Sequence, residues 1–478
     1  MNVRATAARR TKIVATVGPA TWAPDILIEL IGAGADVLRL NFSHAGPERH
    51  AETIDAIREA AERVGREVAI LGDLPGPKLR IGTIRGDVVE LHTGVRVKLT
   101  SEDVEGDEHV IPVSWPGLSQ ALGADDLVYL ADGAIRLRVI GVRDAMVECE
   151  VEVGGVLSSH KGMNLPGAET GLPAIAEADL RWVDFAVRER VDLLAVSFVR
   201  RAADLEPVEK RLRELHSDIP LIAKIEKPQA AENAEEIIEA ATSGIMVARG
   251  DLGIELPLSR VPIVQKELIR KAGKASKPAI TATQMLASMV TAKSPTRAEV
   301  TDVANAIYDG TDAVMLSEET AVGHNPVESV RVMDRIATET ETDLSYEEWL
   351  LSRTEKATRD VADSVAQSAV GSVYRLGLVA LIVPTTSGRT ARLVSAHRPN
   401  VPVLAISPRI ETVRRMNLLF GVKAVLSDQT SEIRDLLHDC AALAGINGVA
   451  ERGDLVGIVA GLPDQELGTN LFEVHRVP

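Results

Sequence analysis

The feature of this 478-residue chain that most restricts its fold is a repeated alternation of short apolar runs with amphipathic helical segments. Eight runs carry the pattern: Thr11–Val17, Ala35–Phe42, Val68–Leu71, Leu193–Phe198, Leu221–Ile225, Gly244–Ala248, Pro278–Thr283 and Ala313–Leu316. Most are nearly unbroken in hydrophobicity, as strands of a parallel sheet buried on both faces are. Helical periodicity follows each, as in Pro24–Ile31, Pro47–Val64, Glu177–Arg190, Ser259–Ala275, Thr296–Tyr308 and Pro326–Glu339. Such units predict a closed (β/α)8 TIM barrel whose reactive groups gather at the C-terminal ends of its strands.

The rhythm stops between about Gly76 and Pro173. Short β-like runs replace it, at Val88–Leu91, Val95–Leu99, His109–Val113, Leu127–Leu130, Ile135–Val142 and Met146–Val153. They predict a small inserted β-barrel. A polar, acidic connector is expected from Thr340 to Thr358. Beyond it a second α/β pattern begins with helix Asp360–Leu376 and strand Val379–Val383 and runs to strand Leu455–Ala460. The expected organisation is therefore a catalytic barrel from residues 1–75 and 174–340, a β-rich lid at 76–173 and a C-terminal α/β domain at 341–478. No G-x-G-x-x-G follows any strand, which disfavours a dinucleotide-binding reading.

Charge narrows the partners. Lys and Arg number 53 against 69 Asp and Glu, a net charge of −16. An acidic surface argues against nucleic acid and anionic membranes, not against anionic substrates held in a local basic cleft. The two cysteines, Cys149 and Cys440, make neither a metal-ligand spacing nor a disulfide framework. No window approaches the roughly 20 apolar residues of a membrane span, and the basic start Met1 to Arg10 lacks an apolar signal core. A cytoplasmic protein is expected.

Lys224-Ile225-Glu226 closes the fifth run. Residues two apart on a strand share a face, so an ammonium and a carboxylate point together at the barrel mouth. Asp251 follows the sixth run in Ala248-Arg249-Gly250-Asp251, read as a glycine-rich loop. Two carboxylates from neighbouring strand ends suit Mg2+, which leaves its other positions to water and substrate. The bland alternative is a structural salt bridge at the rim. Thr283 and Ser317 put hydroxyls at the ends of the seventh and eighth runs, where they could bind substrate or simply cap helices. Arg39, Asn41 and Ser43 end the second run; arginine there suits phosphate or carboxylate, and Asn41, Ser43 and Asp73 offer oxygens to a monovalent cation. Arg80 and Lys161 flank the insertion, as a closing lid requires, although a solvated charge is the simpler reading of each. Thr385-Thr386-Ser387-Gly388-Arg389-Thr390 joins a strand to a helix, a setting suited to phosphate or to plain capping.

Taken in order, these segments resemble the pyruvate kinase family. The matching stretches are Thr11–Ala20, Arg39–His44, Leu157–Thr170, Ile222–Glu226, Gly244–Pro257, Thr281–Met289, Ser294–Asn305, Ala313–Gly323 and, near the C-terminus, Ser387–Pro399. The resemblance implies transfer of the phosphoryl group of phosphoenolpyruvate to ADP, with Mg2+ or Mn2+ held by Glu226 and Asp251. Lys224 would stabilise the transferring group and the enolate. Arg39, Gly250, Asp251, Thr283 and Ser317 would bind substrate, and Thr283 would help protonate the enolate. Asn41, His44, Arg80 and Lys161 would meet the nucleotide phosphates. The family is usually a homotetramer, and the loop Thr385–Thr390 would take a phosphorylated effector.

The chain departs from that family in three places. Potassium-dependent members carry Asp-Thr-Lys-Gly-Pro-Glu-Ile-Arg-Thr after the third strand; here Asp73-Leu74-Pro75-Gly76-Pro77-Lys78-Leu79-Arg80-Ile81 stands instead. Lys78 replaces the family glutamate, and its ammonium could take the place of K+, so K+ is not expected to be required. Glu318 stands where glycine is usual, and the final loop Gly461–Asn470 lacks the aromatic, glycine-rich segment that binds a sugar bisphosphate in eukaryotic members. Two rivals remain: a metal-enolate carbon–carbon lyase or aldolase on a related barrel, and a non-catalytic phosphate sensor.

Overall fold

The computed structural model describes residues 9–77, 79–131, 133–168, 171–354, 360–427, 433–461 and 468–478. Eight parallel strands close into a barrel in sequence order: β1 Lys12–Thr16, β2 Val37–Asn41, β3 Ala69–Asp73, β4 Leu193–Val196, β5 Leu221–Ile225, β6 Gly244–Ala248, β7 Ala279–Ala282 and β8 Ala313–Leu316. Their registers place Thr16 beside Arg39, Asn41 and Ala195 beside Asp73, and Ala248 beside Ala282. Almost every strand residue is buried. The two exceptions are Asn41 and Lys224, both at the C-terminal mouth. Val14, Leu71, Ala195, Ile222, Met246, Ile280 and Met315 fill the barrel interior.

The insertion forms a six-stranded sheet and a two-stranded ribbon around a core of its own, including Val97, Leu99, Val128, Leu137, Val147 and Val151. All six runs read there are strands, to within a residue at each end. Gly155–Ser158 and Met163–Asn164 were not expected, because so few residues, among glycines and serines, show no periodicity of their own.

Beyond the barrel lies a five-stranded sheet, ordered β11 Val422–Leu426, β10 Val403–Ser407, β9 Ala380–Pro384, β12 Leu455–Gly461, β13 Thr469–Arg476. All its pairs are parallel except the edge strand β13, which the sequence reading omitted. The acidic connector is also corrected: Tyr346–Thr354 is a helix. Tyr346 and Leu350 are buried, each in a different apolar cluster. Tertiary docking stabilises a helix too short to stand alone. Residues 462–467 of the final loop lie outside the described residues.

The C-terminal sheet is joined to the closed end of the barrel. Leu418 enters the interior cluster, Lys12 Nζ donates to Val422 O at 2.7 Å, and Asn417 Nδ2 donates to Glu67 O at 3.0 Å. Arg398, almost fully buried, pairs with Asp312 at 3.0 Å and lies 4.2 Å over the Phe420 ring. Beneath β1, the buried Asp36 carboxylate meets Arg9 at 2.9 Å, Lys12 at 4.0 Å and Arg66. Burial alone would raise the Asp36 pKa, but these cations outweigh it and hold it down to about 2. Burial lowers Lys12 to about 8 despite Asp36. The two directions differ because Asp36 draws on three cations, whereas Lys12 has one close carboxylate and two neighbouring guanidiniums.

A depressed carboxylate stabilises the fold above its unfolded pKa and loses that contribution as the pH falls through its folded value. Asp36 is therefore expected to supply roughly 2 kcal/mol that disappears between about pH 4 and pH 2. Denaturant unfolding against pH should show a shallower loss in that window for Asp36→Asn than for the parent. Parallel curves would contradict this.

Candidate active site

At the mouth, the ends of β2, β3 and β5 line up charges of alternating sign. Arg39 on β2 places Nη2 2.6 Å from Asp73 Oδ2 on β3. Its Nε donates to the same oxygen at 2.8 Å, and its Nη1 donates to Thr16 Oγ1 at 3.0 Å. Lys224 Nζ on β5 reaches across to Asp73 Oδ1 at 3.2 Å and meets Glu226 Oε1 at 2.8 Å. Glu226 Oε2 accepts the Phe198 N–H at 2.8 Å.

Burial works against the Lys224 charge, but Asp73 and Glu226 more than compensate and raise its pKa. The ammonium is fixed. Asp73 shows the same balance with the opposite sign: burial raises it, and Lys224 and Arg39 pull it below the ordinary range. Glu226 is pushed up, first by burial and, against Lys224, by the like charge of Asp251. Lys224 thus stands between the Asp73 and Glu226 carboxylates, and Asp251 is near enough to act on both Lys224 and Glu226.

Asp251 lies within a helix, Arg249–Glu255, and not in the loop expected from its glycines. Leu252 is the residue that buries this short helix. Thr283 follows β7 with φ of 72° and Gln284 with 54°, left-handed values that are strained for a β-branched side chain. Arg249 holds that turn: its guanidinium donates to Thr283 O at 2.7 Å and pairs with Asp302 at 2.7 Å. Thr283 Oγ1 accepts the Gly250 N–H at 2.7 Å and donates to Ala282 O at 2.6 Å. Gly250 and Thr283 are thereby in contact, with Asp251 the next residue along the helix.

Ser317 keeps a buried hydroxyl with no hydrogen-bond partner among the described residues. Its N–H donates to Glu319 Oε2 at 2.7 Å, and Glu319 Oε1 accepts from Leu286 N at 3.0 Å. Glu318 is exposed. Asn41 Oδ1 accepts the Ser43 N–H at 3.1 Å, and the exposed His44 offers its carbonyl to His50 Nε2 at 2.7 Å. Asp73, read as a cation ligand, already has both oxygens paired. Lys78 lies outside the described residues.

Arg80 and Lys161 stand side by side at the root of the insertion. Arg80 bridges to Gly162, its Nη1 donates to His160 O at 3.0 Å, and Ile81 N donates to Lys161 O at 3.0 Å. The remote loop folds on itself. Thr385 Oγ1 accepts the Gly388 N–H at 3.0 Å, and Gly388 has φ of 82°. Thr412 Oγ1 donates to Thr386 O at 2.8 Å, and Thr390 Oγ1 lies 2.7 Å from Thr469 Oγ1. Arg389 pairs with Asp360 at 3.3 Å, and Ser387 Oγ lies 3.5 Å from the Arg389 N–H.

Sequence reasoning missed Ser197, whose Oγ accepts from Lys224 Nζ at 2.7 Å and donates to Leu74 O at 2.7 Å. The signal was a single hydroxyl closing the apolar run Leu193–Phe198. It also missed Phe198 and Arg249, whose parts are a backbone N–H and a second-row clamp.

Among the described residues no three His, Cys, Asp or Glu gather into a metal cluster. A cation held by Glu226 and Asp251 would depend on substrate and water for its other ligands. Two carboxylates are a donor set that suits a hard divalent ion beside a phosphorylated substrate. Fold and site define a barrel phosphotransferase.

Comparison makes the class particular. Residues 8–330 match the family model "Pyruvate kinase, barrel domain" and residues 363–475 match "Pyruvate kinase, alpha/beta domain". The chain is 43% identical over 476 residues to the pyruvate kinase of Thermococcus litoralis, covering 98% of this chain and 99% of that one. It is 43% identical over 477 residues to that of Geobacillus stearothermophilus, covering 98% and 80%. A crystal structure of a pyruvate kinase from Cryptosporidium parvum superposes with a TM-score of 0.92 at 36% identity, covering 98% of this chain and 96% of that one. The chain belongs to the pyruvate kinase family, and the lyase alternative finds no support in these matches.

Ser197→Ala removes one acceptor from a buried ammonium. A hydrogen bond to a charged group is worth about 1.5 kcal/mol or more, so kcat should fall about tenfold with little change in substrate KM. Steady-state kinetics check this; an unchanged kcat would show that Ser197 does not position Lys224.

Proposed function

We propose that this enzyme moves the phosphoryl group of phosphoenolpyruvate to ADP, giving pyruvate and ATP. One observation carries the reading: a fixed ammonium, Lys224, lies between Asp73 and Glu226, with Asp251 close enough to act on both Lys224 and Glu226. Phosphoryl transfer asks for charge clamps and positioning more than for covalent catalysis.

Mg2+, or Mn2+ in its place, held by Glu226 and Asp251, supplies neutralising charge to the substrate oxygens. Arg39 and the Gly250–Asp251 backbone hold phosphoenolpyruvate. Lys224 Nζ stabilises charge on the phosphoryl group as its bond to the enol oxygen breaks and a bond to the ADP β-phosphate oxygen forms. The enolate left behind takes a proton at its methylene carbon, with Thr283 Oγ1 in the relay and Ser317 beside it. Asn41, His44, Arg80 and Lys161 meet the nucleotide phosphates.

In this reading residues 1–75 and 174–340 are the catalytic barrel, 76–173 the lid, and 341–478 a C-terminal domain with an effector loop at Thr385–Thr390. That loop takes a small phosphorylated ligand through Thr385, Thr386, Ser387, Gly388, Arg389 and Thr390. The enzyme is a cytoplasmic homotetramer. Among the described residues no helix is long and apolar enough to cross a membrane. K+ is not required in this reading, because Lys78 replaces in sequence the glutamate that potassium-dependent members carry.

ATP formation from phosphoenolpyruvate and ADP, followed in a coupled assay, tests the activity. Lys224→Met should lower kcat by at least about 100-fold, the loss typical of removing one preorganised electrostatic donor; retained turnover would overturn the role given to Lys224. In the same assay, turnover should be equal in potassium-free sodium buffer and after KCl is added. A many-fold rise on KCl would defeat the cation proposal.

A further inference from the structure

The insertion leaves the barrel after β3 and returns before the helix Glu177–Arg188. Both crossings converge on one side chain that the chemistry does not use. Asp179 Oδ1 accepts the Gly76 N–H at 2.9 Å and Asp179 Oδ2 accepts the Ala176 N–H at 2.8 Å. The carboxylate is buried and sits at the third position of its helix, where the Ala176 contact also caps the helix.

The element that bears Asp179 is firmly seated. Val183, Phe185 and Ala186 are buried, and Trp182 stacks on Phe42 at 4.5 Å with an interplanar angle of 9°. Phe42 in turn packs on β3 so closely that a Cβ on Gly72 would lie 2.7 Å from its ring.

The crossings themselves are held against the barrel. The outgoing one is Pro75-Gly76-Pro77, two residues of fixed φ around a glycine at φ of 66°. A Cβ on Gly76 would lie 2.5 Å from Phe198 Cδ2, so this linker rests on the residue whose N–H holds Glu226. The returning linker is tied once more, by Arg200 Nη2 to Leu172 O at 2.9 Å.

We propose that Asp179 is the pin about which the lid turns: a positioning residue that fixes both linkers to the barrel and so sets where Arg80 and Lys161 stand over the mouth. The proposal rests on the reading that those two residues meet the nucleotide. A carboxylate suits the task because it accepts two N–H groups at once from opposite ends of the insertion. Asn offers one accepting oxygen, and Ala none.

The experiment compares Asp179→Ala, Asp179→Asn and Arg80→Ala with the parent. It measures KM for ADP, phosphoenolpyruvate affinity in Mn2+ without nucleotide, and amide hydrogen exchange at residues 76 and 176. Asp179→Ala should raise KM for ADP about tenfold, a loss of about 1.4 kcal/mol, speed exchange at both amides and leave phosphoenolpyruvate affinity unchanged. Asp179→Asn should recover part of each effect, which a fold-wide disturbance would not do. Should Asp179→Ala not fold, Asp179→Asn carries the test alone. Unchanged exchange at both amides, or phosphoenolpyruvate affinity falling in step with ADP, would overturn the proposal. If exchange rises while Arg80→Ala leaves KM for ADP untouched, the pin stands and the nucleotide role of Arg80 fails.

Discussion

Four charged side chains from three barrel strands and the residue beyond one of them form a continuous chain at the mouth: Arg39, Asp73, Lys224, Glu226. Each is nearly dry, and none could be charged there alone without a large desolvation cost. Together they compensate one another, and the result is an ammonium that cannot wander or lose its proton. Everything chemical at this mouth depends on that arrangement. It holds Lys224 aimed, while burial and the like charge of Asp251 push the Glu226 pKa up.

The barrel supplies the rigidity. Parallel strands buried on both faces fix Cα positions closely, and the interior layer leaves only Asn41 and Lys224 as partly open strand residues. The opposite end is closed by the C-terminal sheet through Leu418, Arg398 and the Asp36 cluster. The lid, by contrast, is attached by two linkers and keeps its own core.

Much of this was legible in the sequence. Both-face burial writes itself as unbroken apolar runs, so β5, β6 and β8 could be read to the residue, and the period-two alternation placed Lys224 and Glu226 on one face. What was hidden has physical causes. The helix Arg249–Glu255 begins with Arg-Gly-Asp and looks like a loop, because the packing of Leu252 overrides glycine's poor propensity. The helix Tyr346–Thr354 and the edge strand β13 depend on partners far away in the chain. Ser197 and Asp179 act on groups that only the closed barrel brings near. The charged partners of Asp73, Arg39 and Lys224, come from other strands and leave no mark beside it in the sequence.

The central claim is that the charge chain creates one divalent-cation site between Glu226 and Asp251, completed by substrate. Anomalous diffraction from crystals grown with Mn2+ and phosphoenolpyruvate tests it most directly. The account predicts a single strong peak about 2.1 Å from an oxygen of each carboxylate, with Lys224 Nζ facing the substrate phosphate. A peak elsewhere in the barrel, or a metal bound with neither carboxylate in its shell, would contradict it.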